Sequence, residues 1–231
     1  MSNATGLKSY FIFKNVDWPS MWSATWETVW MTLISMIAVV VFGIILGLIL
    51  YETRTHNGPL FKVLNWIVGL FVDIFRSIPF IILIVLLLPV TKEMIGTIIG
   101  PRAALPSLVI SASPFYARMV ESYFREVDSG VIEAAESMGA TTWGIITKVL
   151  LPESKPALIA GATVTTISLI SYTAMAGAIG AGGLGNLAYL DGFQSSNNTV
   201  TLVATVIICL FVFLVQYIGD LLVKVTDKRT L

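Results

Sequence analysis

The sequence predicts an all-α integral membrane protein, with five transmembrane helices and a polar insert between the third and the fourth. Three observations carry that expectation. Of 231 residues, 56% are hydrophobic and only 12% charged, whereas a soluble domain carries about 25% charged residues. Apolar runs recur near the roughly 20 residues that a hydrocarbon core demands of a helix. Between two of these runs, at about 128–155, lies a short stretch of acidic, small and helix-forming residues that neither anchors nor merely links.

Each element can be justified in order. The first span, about 22–51, is unbroken except for Glu27 and carries the GxxxG string Gly43-Ile44-Ile45-Leu46-Gly47, a helix-packing face. The second, about 60–90, has a short continuous apolar part after Pro79, so its helix is expected to begin near Leu60. Asp73 and Arg76 then share a face at i,i+3 as a neutralising pair. Further spans are expected at about 103–120, 157–178 and 200–223, and the whole chain, 1–231, reads as one transmembrane domain. The stretch from Met1 to Lys14 has no apolar core of signal-peptide length.

Basic residues orient the chain. With the N-terminus outside, the inner segments hold Arg54, Lys62, Arg118, Arg125, Lys148, Lys155, Lys224, Lys228 and Arg229. The outer segments hold Lys8, Lys14, Lys92 and Arg102, with Arg76 left uncounted. Positive charge favours the cytoplasmic side, so the N-out, C-in arrangement is expected and the insert faces the cytoplasm.

Composition also excludes whole classes of function. The 14 basic and 14 acidic residues balance to zero, which argues against a nucleic-acid surface. His56 is the only histidine and Cys209 the only cysteine, so no histidine-based metal centre, triad or intrachain disulfide is expected. Gly180-Ala181-Gly182-Gly183-Leu184-Gly185 satisfies G-x-G-x-x-G, but it follows a membrane helix and Asp191 comes too soon for the ribose acid of a dinucleotide site. The glycines instead suit a turn or a close helix crossing. No phosphate-loop lysine follows a glycine anywhere, so the chain is not expected to be an enzyme or to hold a cofactor.

Within the insert, Asp128 or Ser129 can cap a short helix bearing Glu133 and Glu136. Gly139 is a natural left-handed stop, and Thr141 or Thr142 can cap a second helix that Pro152 is expected to interrupt. In that second helix Trp143, Ile146 and Leu150 form one apolar stripe, and Pro156 suits the first turn of the fourth span.

The string Glu133-Ala134-Ala135, Gly139, Val149, Leu151-Pro152 resembles the EAA motif of ABC importer permeases, with Val149 in the isoleucine position. Three more strings, Arg76-Ser77-Ile78-Pro79-Phe80, Ser113-Pro114-Phe115-Tyr116-Ala117-Arg118 and Ala178 to Gly185, are similar to the methionine-type branch of that family. The resemblance implies a permease of the bacterial cell membrane that docks a cytoplasmic ABC ATPase dimer through Glu133, Ala134, Ala135, Gly139 and Pro152. It further implies a homodimer, an extracytoplasmic substrate-binding protein of the lipoprotein kind, and uptake of an amino acid by alternating access. Small Ala134 and Ala135 let the helix backbone enter a partner's groove, while Glu133 offers a charge to a basic residue.

Five helices seldom enclose a solute path alone, whereas ten about a two-fold axis leave a path on the axis. The fourth span carries Thr163, Thr165, Thr166, Ser168, Ser171, Tyr172, Thr173 and Met175. Ser168, Ser171, Tyr172 and Met175 share a face and form the candidate pathway, with Met175 as a flexible apolar plug. The alternative is that these hydroxyls bond only to helix backbone. The outer segment 186–199 has no lysine or arginine and could meet a binding protein. Rival readings are a permease of another importer branch for osmoprotectants or phosphonates, an ATPase-independent transporter, and a membrane scaffold.

Overall fold

A 38-residue helix, α1 (Trp18–Thr55), opens the fold, with Pro19 in its first turn where no backbone donor is needed. The computed structural model describes residues 6–56 and 58–227. Lys228 and Arg229 of the charge count, and both ends of the 1–231 domain, lie outside the described residues. Then come α2 (Pro59–Ser77), α3 (Phe80–Leu86), α4 (Leu88–Ile95) and α5 (Pro101–Arg125). The insert supplies α6 (Ser129–Ser137) and α7 (Thr142–Ile145), and a π turn, Ile146–Leu150, runs into α8 (Leu151–Ala178). A short α9 (Gly183–Leu187) and a second π turn, Ala188–Gln194, precede α10 (Asn198–Thr226). No strand occurs among the described residues.

Three stretches are long and apolar enough to cross a membrane: α1, the continuous 37-residue helix Thr142–Ala178, and α10. They become four if the broken pair α2 and α3 counts as one span. Their outward faces are apolar: Trp22, Trp26, Leu33, Ile34 and Ile37 on α1 are exposed, as are Leu210, Phe213 and Leu214 on α10. Water would penalise such a surface, and lipid does not. Helix α5 is the opposite. It is long, but it carries Ser107, Ser111, Ser113 and Glu121, and these are buried along with Leu108, Tyr116 and Phe124. Interior position, not apolar content, explains its composition.

The chain divides into two compact units. The first comprises residues 1–38, 78–111 and 166–215, the second 39–77, 112–165 and 216–231. Four of the crossings between them fall inside α1, α5, α8 and α10, while the fifth falls at Ile78, in the break between α2 and α3. Pro79 there has an extended backbone (φ −57°, ψ 135°), and the residue before a proline is itself pushed out of helical geometry.

In the first unit, Val16, Met21, Ala24, Leu184, Leu187, Val200 and Ala204 form a buried apolar cluster. In the second, α1 meets α5 through the GxxxG string. A Cβ on Gly43 would lie 2.5 Å from Tyr116 Cδ1, and one on Gly47 would lie 2.6 Å from Val120 Cγ1 and 2.9 Å from the Ala117 carbonyl oxygen. The Tyr116 hydroxyl donates to the Leu158 carbonyl at 3.0 Å, fastening α5 to α8.

The expected interruption at Pro152 does not occur. The helix runs from Thr142 through Pro152 and Pro156 to Ala178. Proline lacks an N–H donor and crowds the preceding turn. The wider π turn Ile146–Leu150 lies directly before Pro152, so the irregularity is absorbed as an extra residue in the turn rather than as a break. The same turn resets the helical register. Ile145, Ile146 and Leu150 are buried as the core-facing side, whereas Trp143, expected on that stripe, is 71% exposed.

Candidate functional site

The insert is built by local chemistry within the second unit. Asp128 Oδ1 accepts the Gly130 N–H at 2.7 Å and caps α6. At the other end the Gly139 N–H donates to the Glu136 carbonyl at 2.8 Å and the Ala140 N–H to the Ala135 carbonyl at 3.0 Å. That paired arrangement is the Schellman stop, and it requires the left-handed φ of +81° that Gly139 adopts. Thr141 Oγ1 then accepts the Gly144 N–H at 3.2 Å and starts α7. Two short helices are thereby set at an elbow whose turn, at Gly139, faces open space.

The elbow's surface suits docking. Glu133 and Ala134 are exposed, Ala135 is buried, and a Cβ added to Gly139 would meet nothing within 4 Å. Ala135, Gly139, Thr141, Gly144 and Lys148 line a groove of about 330 Å³. Met138 stands 82% exposed beside Gly139, and with exposed Trp143 it gives the corner two large apolar side chains. Sequence reasoning missed Met138 and misplaced Trp143. The left-handed stop next to Met138 was the signal that could have turned it outward. Pro152 is exposed too, but it lies past the π turn, in the first turn of α8, and not in this groove.

The candidate pathway residues lie on α8 within the first unit. Ser171 and Met175 are exposed and Ser168 is half-buried, along one side of the helix. Tyr172, also half-buried, stacks on Phe80 with ring centroids 4.6 Å apart and planes 10° from parallel. The hydroxyls of this segment divide. Thr163, Thr165 and Thr173 are buried, and each donates to its own helix, at 2.9, 2.8 and 2.7 Å respectively. Ser171 and Met175 remain on the open side.

The glycine-rich string is a clamped turn. Gly183 has φ +75°, and its N–H donates to Glu27 Oε2 at 2.7 Å, while the Leu184 N–H donates to Thr28 Oγ1 at 2.9 Å. Asn186 Nδ2 donates to the Gly177 carbonyl at 2.9 Å, and the Gly100 N–H to the Gly180 carbonyl at 2.9 Å. Every one of these backbone groups is paired within the protein. Glu27, which looked like a lone carboxylate in the first span, serves as the cap of this turn.

Residues 43–231 match the family described as binding-protein-dependent transport system inner membrane component. The chain belongs to that family. Among these permeases, the methionine import system permease protein MetP of Bacillus subtilis is 60% identical over 168 residues, covering 73% of this chain and 76% of that protein. The probable D-methionine transport system permease protein MetI of Vibrio cholerae is 44% identical over 166 residues, covering 72% and 74%. Among solved structures, a chain of the inward-facing MetNI methionine ABC transporter, native crystal form, superposes with a TM-score of 0.88 at 43% identity. That match covers 92% of this chain and 100% of the other. As a member of an inner-membrane permease family with several apolar helices, the chain is a multi-pass protein of the bacterial plasma membrane.

Proposed function

We propose that this chain is the membrane-spanning subunit of an importer of methionine, working as a homodimer and driven by a separate ABC ATPase pair. The carrying observation is the elbow at 128–145, whose capped, acidic first helix and open turn at Gly139 stand beside exposed Met138 and Trp143. The methionine assignment rests on the relatives at 60% and 44% identity, both methionine permeases by name, which favours it over the osmoprotectant and phosphonate alternatives. In this reading the chain makes five spans, N-terminus outside and C-terminus inside, with the broken α2–α3 pair and the buried α5 as the less apolar ones. Glu133, Ala134, Ala135 and Gly139 meet the ATPase, and exposed Pro152, in the first turn of α8, completes the contact. ATP-driven closure of the ATPase pair moves the elbow and alternates access along Ser168, Ser171, Tyr172 and Met175, with Met175 as the plug. A substrate-binding protein delivers methionine to the outer side, where segment 186–199 is the contact.

The test has two arms. In proteoliposomes holding this chain, its ATPase and the loaded binding protein, methionine is expected to stimulate both ATP hydrolysis and uptake. Stimulation by betaine or a phosphonate alone removes methionine as substrate. In detergent, Glu133→Lys and Gly139→Asp are each expected to abolish co-purification of the ATPase while leaving membrane insertion intact. Undiminished recovery of the ATPase with both variants would sink the docking assignment.

A further inference from the structure

Within the second unit, five charged side chains join three helices around Arg118. On α5, Arg118 Nε donates to Asp73 Oδ1 at 3.1 Å and Nη2 to Asp73 Oδ2 at 2.8 Å, a two-pronged grip on α2. Nη1 donates to Glu121 Oε2 at 2.7 Å, and Nη2 also reaches the Gly69 carbonyl at 3.4 Å. The other oxygen of Glu121 lies 3.6 Å from Arg54 Nη1 on α1, and Arg76 Nη1 lies 4.0 Å from Asp73 Oδ1. The Glu121 side chain is 5% exposed, and its two oxygens face these two arginines. The i,i+3 pairing expected of Asp73 and Arg76 is thus the long edge of a larger network. A Cβ on Gly69 would sit 3.4 Å from Arg118 Nη2, at the edge of ordinary van der Waals contact. Asn65 adds a neutral tie between α2 and α1, donating to the Leu50 carbonyl at 3.0 Å and to Thr53 Oγ1 at 2.9 Å.

The position of this hub matters because α5 leads directly into the insert. Only residues 126–128 separate the end of α5 at Arg125 from the start of α6 at Ser129. They are drawn tight by the Glu126 N–H donating to the Ser122 carbonyl at 3.2 Å and the Val127 N–H to the Phe124 carbonyl at 3.4 Å. A displacement of α6 therefore pulls on α5 with little slack. Whether α2 follows depends on what holds it to α5. A two-pronged guanidinium–carboxylate contact fixes both the separation and the rotation of two helices, which a point charge does not.

We propose that Arg118 is a positioning residue for transport, whose fork on Asp73 makes the insert, α5 and α2 move as one block. Motion of the docked elbow then reaches the end of α2 at Ser77, where the helix stops before Pro79. This rests on the docking reading above, and it assigns to Asp73 and Arg118 a part in coupling rather than in contact with the solute.

Arg118→Lys keeps the charge opposite buried Glu121 but loses the fork, and Asp73→Asn alters the exposed partner without stranding a buried charge. Each is assembled with the ATPase and binding protein in proteoliposomes, and methionine transported per ATP hydrolysed is measured beside co-purification and basal hydrolysis. Assembly and basal hydrolysis are expected to match the wild type, while transport per ATP falls at least about fivefold, the lower end of ordinary coupling between sites. Asp73→Glu, which restores a two-oxygen acceptor, is expected to recover most of the ratio. An unchanged ratio in both variants overturns the proposal, and so does a loss of uptake that only parallels loss of assembly. Failure of the importer reading itself shows separately, as a wild-type complex that methionine does not stimulate.

Discussion

The same long helices are held by different chemistry in the two units. In the second unit the charged side chains Arg54, Asp73, Arg76, Arg118 and Glu121 interlock three helices, Tyr116 and Asn65 add side-chain-to-carbonyl ties, and Gly43 and Gly47 admit α5 against α1. In the first unit the ties are of another kind: Tyr172 stacks on Phe80, and Glu27, Thr28 and Asn186 clamp backbone groups of the turn that ends α8. The contrast follows from what each unit contains. The second carries the insert through which force is proposed to enter, and rigid helix-to-helix contacts suit that role. The first carries the open hydroxyl side of α8 and a turn whose backbone departs from the helix, so N–H and carbonyl groups that no helix satisfies need partners within the protein.

The contrast can be broken hardest at Gly47. A leucine there has no room, because even its Cβ would press on Val120 and on the Ala117 backbone carbonyl, which cannot rotate away. Overpacking of this kind costs about 1–3 kcal/mol, occasionally more, and here backbone is the obstacle. Gly47→Leu is expected to separate α1 from α5, seen as a thermal transition in detergent lowered by many degrees or lost. A transition equal to the wild type would mean that the close approach does not hold this unit together.

Next in size is Gly183→Ala in the first unit. Its φ of +75° disfavours any side chain, and the new Cβ would stand 2.7 Å from Thr28 Oγ1. Left-handed backbone costs a non-glycine residue about 1–2 kcal/mol, and displacing Thr28 removes the acceptor of the Leu184 N–H. The expected loss is about 2–3 kcal/mol, measured as a shift in the same transition. Gly139→Ala, with a similar φ but open space around it, is the matched control and is expected to lose only the conformational part.

Local features were legible in the sequence. The all-helical class follows from composition, the GxxxG contact from spacing, and both caps of the elbow from Asp128 and Thr141 with Gly139 between them. Each depends on residues a few positions apart, where helix geometry alone decides. Long-range partners were not legible. Asp73 was paired with its neighbour Arg76, but its fork comes from Arg118, 45 residues away, and Glu27 caps a turn 156 residues away. Pro152 misled for another reason. A proline breaks a helix only where the preceding turn cannot widen, and Ile146–Leu150 widens. The hydroxyl-rich fourth span was readable only in part, because burial and not residue type separates Thr165 and Thr173 from Ser171.

The smallest effect, and the most discriminating, is expected at Glu27. Its Oε2 accepts the Gly183 N–H at 2.7 Å. Glu27→Gln keeps an oxygen of the same reach, so the bond can re-form with a neutral acceptor. Bonds to charged groups contribute about 1.5–3 kcal/mol and neutral ones about 0.5–1.5, so the substitution should cost about 1 kcal/mol. Glu27→Ala leaves the N–H with no acceptor there and should cost more, roughly the desolvation of a buried donor, about 1–3 kcal/mol. Thermal unfolding of the two variants in detergent gives the comparison directly. Equal losses for glutamine and alanine would show that charge at Glu27, and not hydrogen bonding to the turn, is what the first unit needs, and its ties would then resemble those of the second.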